Sequence, residues 1–112
     1  MKLVRGTTGE LLAADVREAR TVGARMRGLM GRRAMPGDGL LIKPADSIHT
    51  FFMRMPIDLI FLAADGRVLK LCAAVKPWRI RLMPRHAKCV LEMAAGFIGR
   101  HALVSGERLT LE

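Results

Sequence analysis

Asp58 and His49 are the residues of this 112-residue chain whose types and setting most directly suggest chemistry. Asp58 falls within the apolar run 57–62, where an unpaired carboxylate would be costly to remove from water, so it needs a partner. In a structural interpretation, backbone amides of the turn at residues 54–56 or the guanidinium of Arg25 satisfy the carboxylate. In a functional interpretation, Asp58 fixes the tautomer of His49, as a carboxylate does when a histidine acts as acid, base or ligand.

His49 belongs to a predicted strand over residues 47–53, in which it alternates with Phe51 and Met53 and shares their face. One interpretation makes it a packed or rim histidine of the sheet. The other makes His49 and its neighbour Thr50 part of a ligand-binding site.

Trp78, the single tryptophan, lies between Pro77 and Arg79 in a predicted loop that carries several positive charges. A large aromatic side chain is usually mostly buried, so its ring could close the end of a barrel. Alternatively, Trp78 and Arg79 line the mouth of a cleft and stack on a ligand or partner, as such residues do at binding hot spots.

Other chemistry has little support in the sequence. His86 and His101 are distant from His49, with no acidic or cysteine residue at a recognised ligand spacing, and Cys72 and Cys89 lack the CxxC spacing of zinc or redox sites. Neither a Gly-x-Ser-x-Gly elbow nor a phosphate-binding loop occurs. The sequence therefore predicts no metal and no cofactor, and it identifies no catalytic residue.

Charge and composition narrow the class of partner. Nineteen Lys and Arg against ten Asp and Glu give a net charge of +9, which attracts polyanions. Proteins that bind single-stranded nucleic acid interleave such charge with exposed aromatics, whereas the four Phe residues here lie in apolar runs typical of a core. The pattern favours a solvated basic surface over a nucleic-acid interface.

Hydropathy argues against a membrane protein. No apolar run approaches the ~20 residues that cross a bilayer, and the first residues lack the apolar stretch of a secretory signal. We therefore expect a cytoplasmic protein, or alternatively a periplasmic or secreted one whose leader is not part of this sequence.

Turn signals divide residues 1–112 into the elements of one domain. The predicted helix begins at Thr21, with apolar residues at helical spacing to Met30; Asp65-Gly66 indicates a hairpin, and residues 96–99 allow at most one further helical turn. Predicted strands cover residues 11–16, 40–42, 47–53, 57–62, 68–75, 89–93 and 108–111. The fold class is α+β, mainly β: a curled antiparallel sheet or small barrel with one covering helix.

Cys72 and Cys89 are expected to be neighbours in this sheet. The strands 68–75 and 89–93 are joined by a connection centred near residue 81, from which the two cysteines are almost equally distant. If these strands pair, a disulfide is geometrically possible and would depend on the compartment.

Several segments together resemble the DUF192 family of uncharacterised prokaryotic domains. They are Arg25 with residues 28–30, then 39–42, 48–53, 56–58, 77–79, 90–92, 95–96 and Gly106. The resemblance implies a compact, mostly β domain, often behind an export signal and with no established activity. This chain departs from many relatives at Arg54 and Met55, where a more polar turn is usual.

These observations favour a non-enzymatic binding or interaction module. Its cleft would lie near His49, Asp58 and residues 77–79 and would accept an anionic small molecule or a protein partner. The alternatives are an enzyme that uses His49 and Asp58 as an acid–base pair, and a sequence-independent nucleic-acid binder.

Overall fold

The computed structural model describes residues 1–19, 31, 33–43 and 47–112. Its strands are β1 (Leu3–Arg5), β2 (Leu11–Ala13), β3 (Val16–Glu18), β4 (Gly39–Ile42), β5 (Ser47–His49), β6 (Ile57–Ala63), β7 (Val68–Val75), β8 (Ile80–Leu82), β9 (Ala87–Ala94) and β10 (Leu109–Leu111), and a one-turn helix α1 covers Phe97–Arg100. The predicted class, mainly β, is confirmed. No helix in the described ranges is long and apolar enough to span a bilayer.

Three sheets make up the described fold, and none of them closes into a barrel. The largest has the order β3-β4-β9-β6-β7, a second has the order β10-β1-β2, and β5 pairs with β8. The β3–β4 pair is parallel, so the large sheet is mixed rather than purely antiparallel as predicted.

Strand β6 lies inside the large sheet and is apolar on both faces, as the sequence predicts. Ile57, Leu59 and Phe61 pack in one hydrophobic cluster, whereas Ile60 and Leu62 pack in the other. Since successive side chains of a strand point to opposite faces, the sheet separates two cores.

The hairpin predicted at Asp65-Gly66 joins β6 to β7. Gly66 has φ 86° and donates its amide to the Ala63 carbonyl at 3.0 Å, while the Asp65 carboxylate accepts the Arg67 amide at 3.1 Å. A Cβ at Gly66 would lie 2.2 Å from the Leu109 carbonyl oxygen, so both the backbone angle and the close approach require glycine.

Two predicted strands are shorter than expected. The strand at 11–16 divides into β2 and β3, because the amides of Ala14 and Asp15 donate to the Asp38 carboxylate at 3.0 and 2.9 Å instead of to a neighbouring strand. The strand at 47–53 ends at His49, and the chain then turns. The helix predicted from Thr21 lies outside the described residues.

The predicted pairing of Cys72 with Cys89 is wrong. Strand β6 lies between β7 and β9, so Cys72 is opposite Leu59 and Cys89 is opposite Leu62. Leu59 and Leu62 face different cores, so the two thiols lie on opposite faces of the sheet. Both cysteines are free.

Asp58 ties three elements together. Its side chain is fully buried, and its carboxylate accepts the Ala74 amide of β7 and the Ile98 amide of α1, both at 2.8 Å. The β6–β7 register shifts at this point, from Ile57 opposite Val75 to Leu59 opposite Cys72, which is the mark of a bulge that removes an amide from the ladder. The structural interpretation of Asp58 is thus supported: its described partners are the amides of Ala74 and Ile98 and not those of the expected turn, while Arg25 lies outside the described residues.

Replacing Asp58 by Ala is expected to lower the free energy of unfolding by about 2 kcal/mol or more, because two buried amides lose their acceptor. Urea unfolding followed by circular dichroism measures the change. Asp65→Ala is the matched control, since the exposed Asp65 carboxylate accepts one amide and one arginine, and its loss should lower the free energy of unfolding much less than Asp58→Ala does. Equal midpoints for Asp58→Ala and wild type would contradict the buried bridge.

Candidate functional site

Thr50 is a buried polar residue in the middle of the region where the sequence predicts a ligand site. Its side chain is only 1% exposed. The hydroxyl donates to the Lys76 carbonyl at 2.7 Å and accepts the Arg79 amide at 2.8 Å. The Thr50 backbone amide donates to the Arg79 carbonyl at 2.9 Å, and its carbonyl accepts the Trp78 amide at 3.0 Å. One buried residue therefore holds the whole loop 76–79.

The backbone on both sides of this contact is strained. Phe52 and Trp78 each have φ 64°, in the left-handed region that costs a non-glycine residue of order 1–3 kcal/mol. The Phe52 carbonyl is also fixed, because it accepts the Gly31 amide at 2.8 Å. Such strain persists only where surrounding contacts impose it, and the hydrogen bonds of Thr50 impose it on Trp78.

The strained residues Phe52 and Trp78 lie next to two further rings, those of His49 and Phe51. We call these four residues the aromatic surface. Ring centroids lie 4.9 Å apart for His49 and Phe51, 5.6 Å for Phe51 and Trp78, and 4.7 Å for Phe52 and Trp78. Phe52 is 55% exposed and Trp78 is 56% exposed. Trp78 therefore does not close the end of a barrel, and Phe52 is not a core residue.

Strands β5 and β8 extend this surface. His49 lies opposite Ile80 and Ser47 lies opposite Leu82, so these side chains share one face, while Ile48 between them is buried on the other. Ile80 and Leu82 are more than half exposed. The exposed apolar area thus continues from Phe52 along β8.

The segments that form the aromatic surface carry positive charge and no negative charge. Segments 47–57 and 76–86, which form it, contain no Asp or Glu and carry five cationic residues: Arg54, Lys76, Arg79, Arg81 and Arg85. The Arg79 guanidinium donates to the Pro77 carbonyl at 3.2 Å, next to Trp78. Arg54 lines an open depression together with Phe52, Met53 and Trp78. An anion that reaches the rings meets arginines and no carboxylate of these segments.

The structure does not bring His49 and Asp58 together. His49 is exposed, and its Nδ1 accepts the Phe51 amide at 3.2 Å, whereas Asp58 is buried against β7 and α1. Asp58 also lies beside Met93, on the sheet face opposite the cluster that contains Ile48. The acid–base pair considered as an alternative is therefore not formed, and Asp58 is not part of the aromatic surface. Arg25 lies outside the described residues.

Glu92 is a buried acid that the sequence analysis missed. It is only 2% exposed and lies on β9 between two apolar residues, Leu40 and Leu59. Burial raises the pKa of Glu92 to about 8, so the group is mostly protonated at pH 7. The signal that identified Asp58, a carboxylate inside an apolar strand, applies equally to Glu92 in residues 89–93.

Metal-ligating side chains do not gather in the described residues: no three His, Cys, Asp or Glu come close enough there to hold an ion.

Sequence analysis also missed Phe51 and Phe52 as site residues. The unbroken apolar run around them gave no signal that the strand stops at His49.

The raised pKa of Glu92 predicts how stability depends on pH. Between the ordinary value of 4.5 and about 8, the folded state holds one proton more than the unfolded state, so the free energy of unfolding falls as pH rises. The slope approaches ~1.4 kcal/mol per pH unit. Glu92→Gln, which cannot ionise, should flatten this dependence in urea unfolding at about pH 5, 6.5 and 8.

Glu10→Gln serves as the control for that series, because Glu10 is exposed and should leave the pH dependence as in wild type. If Glu92→Gln keeps the wild-type slope, Glu92 does not titrate in this range and the assignment is wrong.

Comparison with known proteins places these features in a family. A relative from Pyrococcus furiosus, a UPF0127 protein, is 35% identical over 109 residues, covering 92% of this chain and 91% of that protein. A structure from Sinorhizobium meliloti, named as a candidate transcription regulator, has a TM-score of 0.81 at 27% identity, covering 97% of this chain and 89% of that one.

A structure from Novosphingobium aromaticivorans, of unknown function, has a TM-score of 0.83 at 23% identity and covers 99% of this chain and 84% of that chain, which supports the fold. The DUF192 family profile (Uncharacterized ACR, COG1430) matches residues 3–111. The chain therefore belongs to the DUF192 family.

Proposed function

We propose that this protein is a binding module and that the aromatic surface, with Arg54 and Arg79 beside it, is its ligand site. The ligand is an anion whose carboxylate or phosphate groups pair with these arginines. The observation that carries the proposal is the exposure of Phe52 and Trp78, two large rings held out in water on strained backbone.

The energetics of the loop support this assignment. Exposed rings contribute little of the burial that stabilises a fold, and the left-handed backbone at Phe52 and Trp78 adds a cost. The buried hydrogen bonds of Thr50 offset that cost and hold Trp78 in place before any ligand arrives. A preorganised aromatic group beside an arginine is the usual composition of a binding hot spot.

Binding is favoured over acid–base catalysis by the placement of the candidate groups. His49 has Phe51 as its neighbour and no carboxylate partner among the contacts found for it, and Asp58 serves two backbone amides. Arginine beside aromatic rings suits an anionic ligand, because guanidinium groups pair with carboxylate and phosphate and the rings exclude water around them.

Fluorescence of Trp78 tests the proposal, since it is the single tryptophan and lies in the site. Titration with heparin and with polyglutamate is expected to change the Trp78 emission, and added salt should reverse the change. The Arg54→Ala/Arg79→Ala double variant should bind both polyanions at least several-fold more weakly.

Arg17→Ala is the matched control for charge, because Arg17 is an exposed arginine on β3 that pairs with Asp15 and does not line the depression formed by Phe52, Arg54 and Trp78. It should bind like wild type. The proposal is wrong if neither polyanion alters Trp78 emission, or if Arg17→Ala weakens binding as much as the double variant.

A further inference from the structure

We infer that the anion recognised by this surface is single-stranded nucleic acid, held by base stacking on Trp78 and Phe52 and by phosphate contacts to the neighbouring cations. This inference rests on the proposed function and names its ligand. It reverses the expectation from sequence, which discounted nucleic acid because the Phe residues were expected to lie in the core.

The rings have the placement that stacking requires. Trp78 and Phe52 touch edge to face at 4.7 Å with an interplanar angle of 61°, and each keeps more than half of its surface in water. A ring whose face is free can accept a base of any identity, because every base has a flat π-face. Phe51 stacks on Trp78 with centroids 5.6 Å apart and an interplanar angle of 29°, and His49 lies next to Phe51, so a base would stack on the surface of Trp78 and Phe52 that remains exposed.

Exposed cations lie on the same two segments as the rings, where they can contact phosphates. Of the five cationic residues in segments 47–57 and 76–86, Arg54, Lys76, Arg79 and Arg85 are exposed. The absence of Asp and Glu from these segments removes the repulsion that phosphates would otherwise meet. Cations interleaved with exposed rings are the combination that the sequence alone did not reveal.

Other occupants fit these observations less well. A second copy of the chain would bring the same cations face to face without a carboxylate from either segment to pair with them. Duplex DNA offers phosphates but keeps its bases stacked inside, so the rings would gain nothing from it. A purely acidic peptide would satisfy the arginines and leave the rings unused.

The test uses fluorescein-labelled (dT)12 and (U)12 with the intact protein and follows anisotropy. Trp78→Asn and Phe52→Asn remove the rings, and asparagine is the side chain best suited to the left-handed backbone there, so the loop is preserved. Each variant is expected to bind both oligonucleotides roughly 5- to 150-fold more weakly, the effect of losing one stacked base. Val104→Asn, which removes an exposed apolar side chain elsewhere, should have no effect.

Salt dependence separates phosphate contacts from stacking. The plot of log affinity against log salt should become shallower by about 0.7 for each of Arg54→Ala and Arg79→Ala, the value for one phosphate contact on a single strand, and should be unchanged in Trp78→Asn. Circular dichroism and urea unfolding confirm that each variant is folded before its affinity is compared.

Three results would overturn the inference. If (dT)12 and (U)12 fail to bind while heparin or polyglutamate still changes Trp78 emission, the ligand is another anion and the proposed function stands. If the oligonucleotides bind but Trp78→Asn and Phe52→Asn bind them as wild type does, attraction is electrostatic only. If no anion affects Trp78, both the inference and the proposed function are wrong.

Discussion

The hydroxyl of Thr50, buried between the turn after β5 and the loop 76–79, is the interaction on which the arrangement of the candidate site depends. It donates to one carbonyl and accepts one amide of the loop, while the Thr50 backbone makes two further bonds to Arg79 and Trp78. A buried group with both donor and acceptor satisfied is rigid, and its loss would leave buried partners unpaired. The hydrogen bonds of Thr50 therefore set the conformation of the loop, and that conformation exposes Trp78.

The large sheet, to which this site is attached, contains two buried acidic residues whose surroundings differ. Asp58 is hydrogen-bonded by two amides and joins β6, β7 and α1, whereas Glu92 lies among apolar neighbours on the other face, where burial raises its pKa. Ile48 and Met53, on either side of Thr50, pack in the cluster on the Glu92 face. The site is thus attached to one core and Asp58 belongs to the other.

Local signals predicted those parts of the fold that local chemistry determines. Asp65-Gly66 specifies its hairpin because the turn needs a left-handed glycine, and β6 is apolar on both faces because it lies between two cores. The Cys72–Cys89 pairing failed because the order of strands is a non-local property: β6 inserts between two strands that follow it in the chain. The sequence of residues 68–93 alone does not indicate that β6 lies between β7 and β9.

The sequence pointed to part of the candidate site, but it gave no indication of Phe51 and Phe52 or of the geometry. Thr50, Trp78 and Arg79 were expected to lie together and do, and His49 lies beside them. Residues 50–53 looked like a strand because Phe and Met are common in strands, but the contacts of Thr50 override that preference and expose Phe52. Asp58 was paired with His49 because a buried carboxylate needs a partner, but two backbone amides satisfy Asp58 on the other face of the large sheet.

Time-resolved fluorescence anisotropy of Trp78 in Thr50→Val tests most directly whether this hydroxyl organises the site. Valine keeps the shape of threonine and removes only the hydroxyl, so the fold should persist while the loop loses two hydrogen bonds. We expect Trp78 to rotate with the whole molecule in wild type and to gain a fast local component in Thr50→Val. An anisotropy decay identical in the two proteins would show that the loop is held by something other than Thr50.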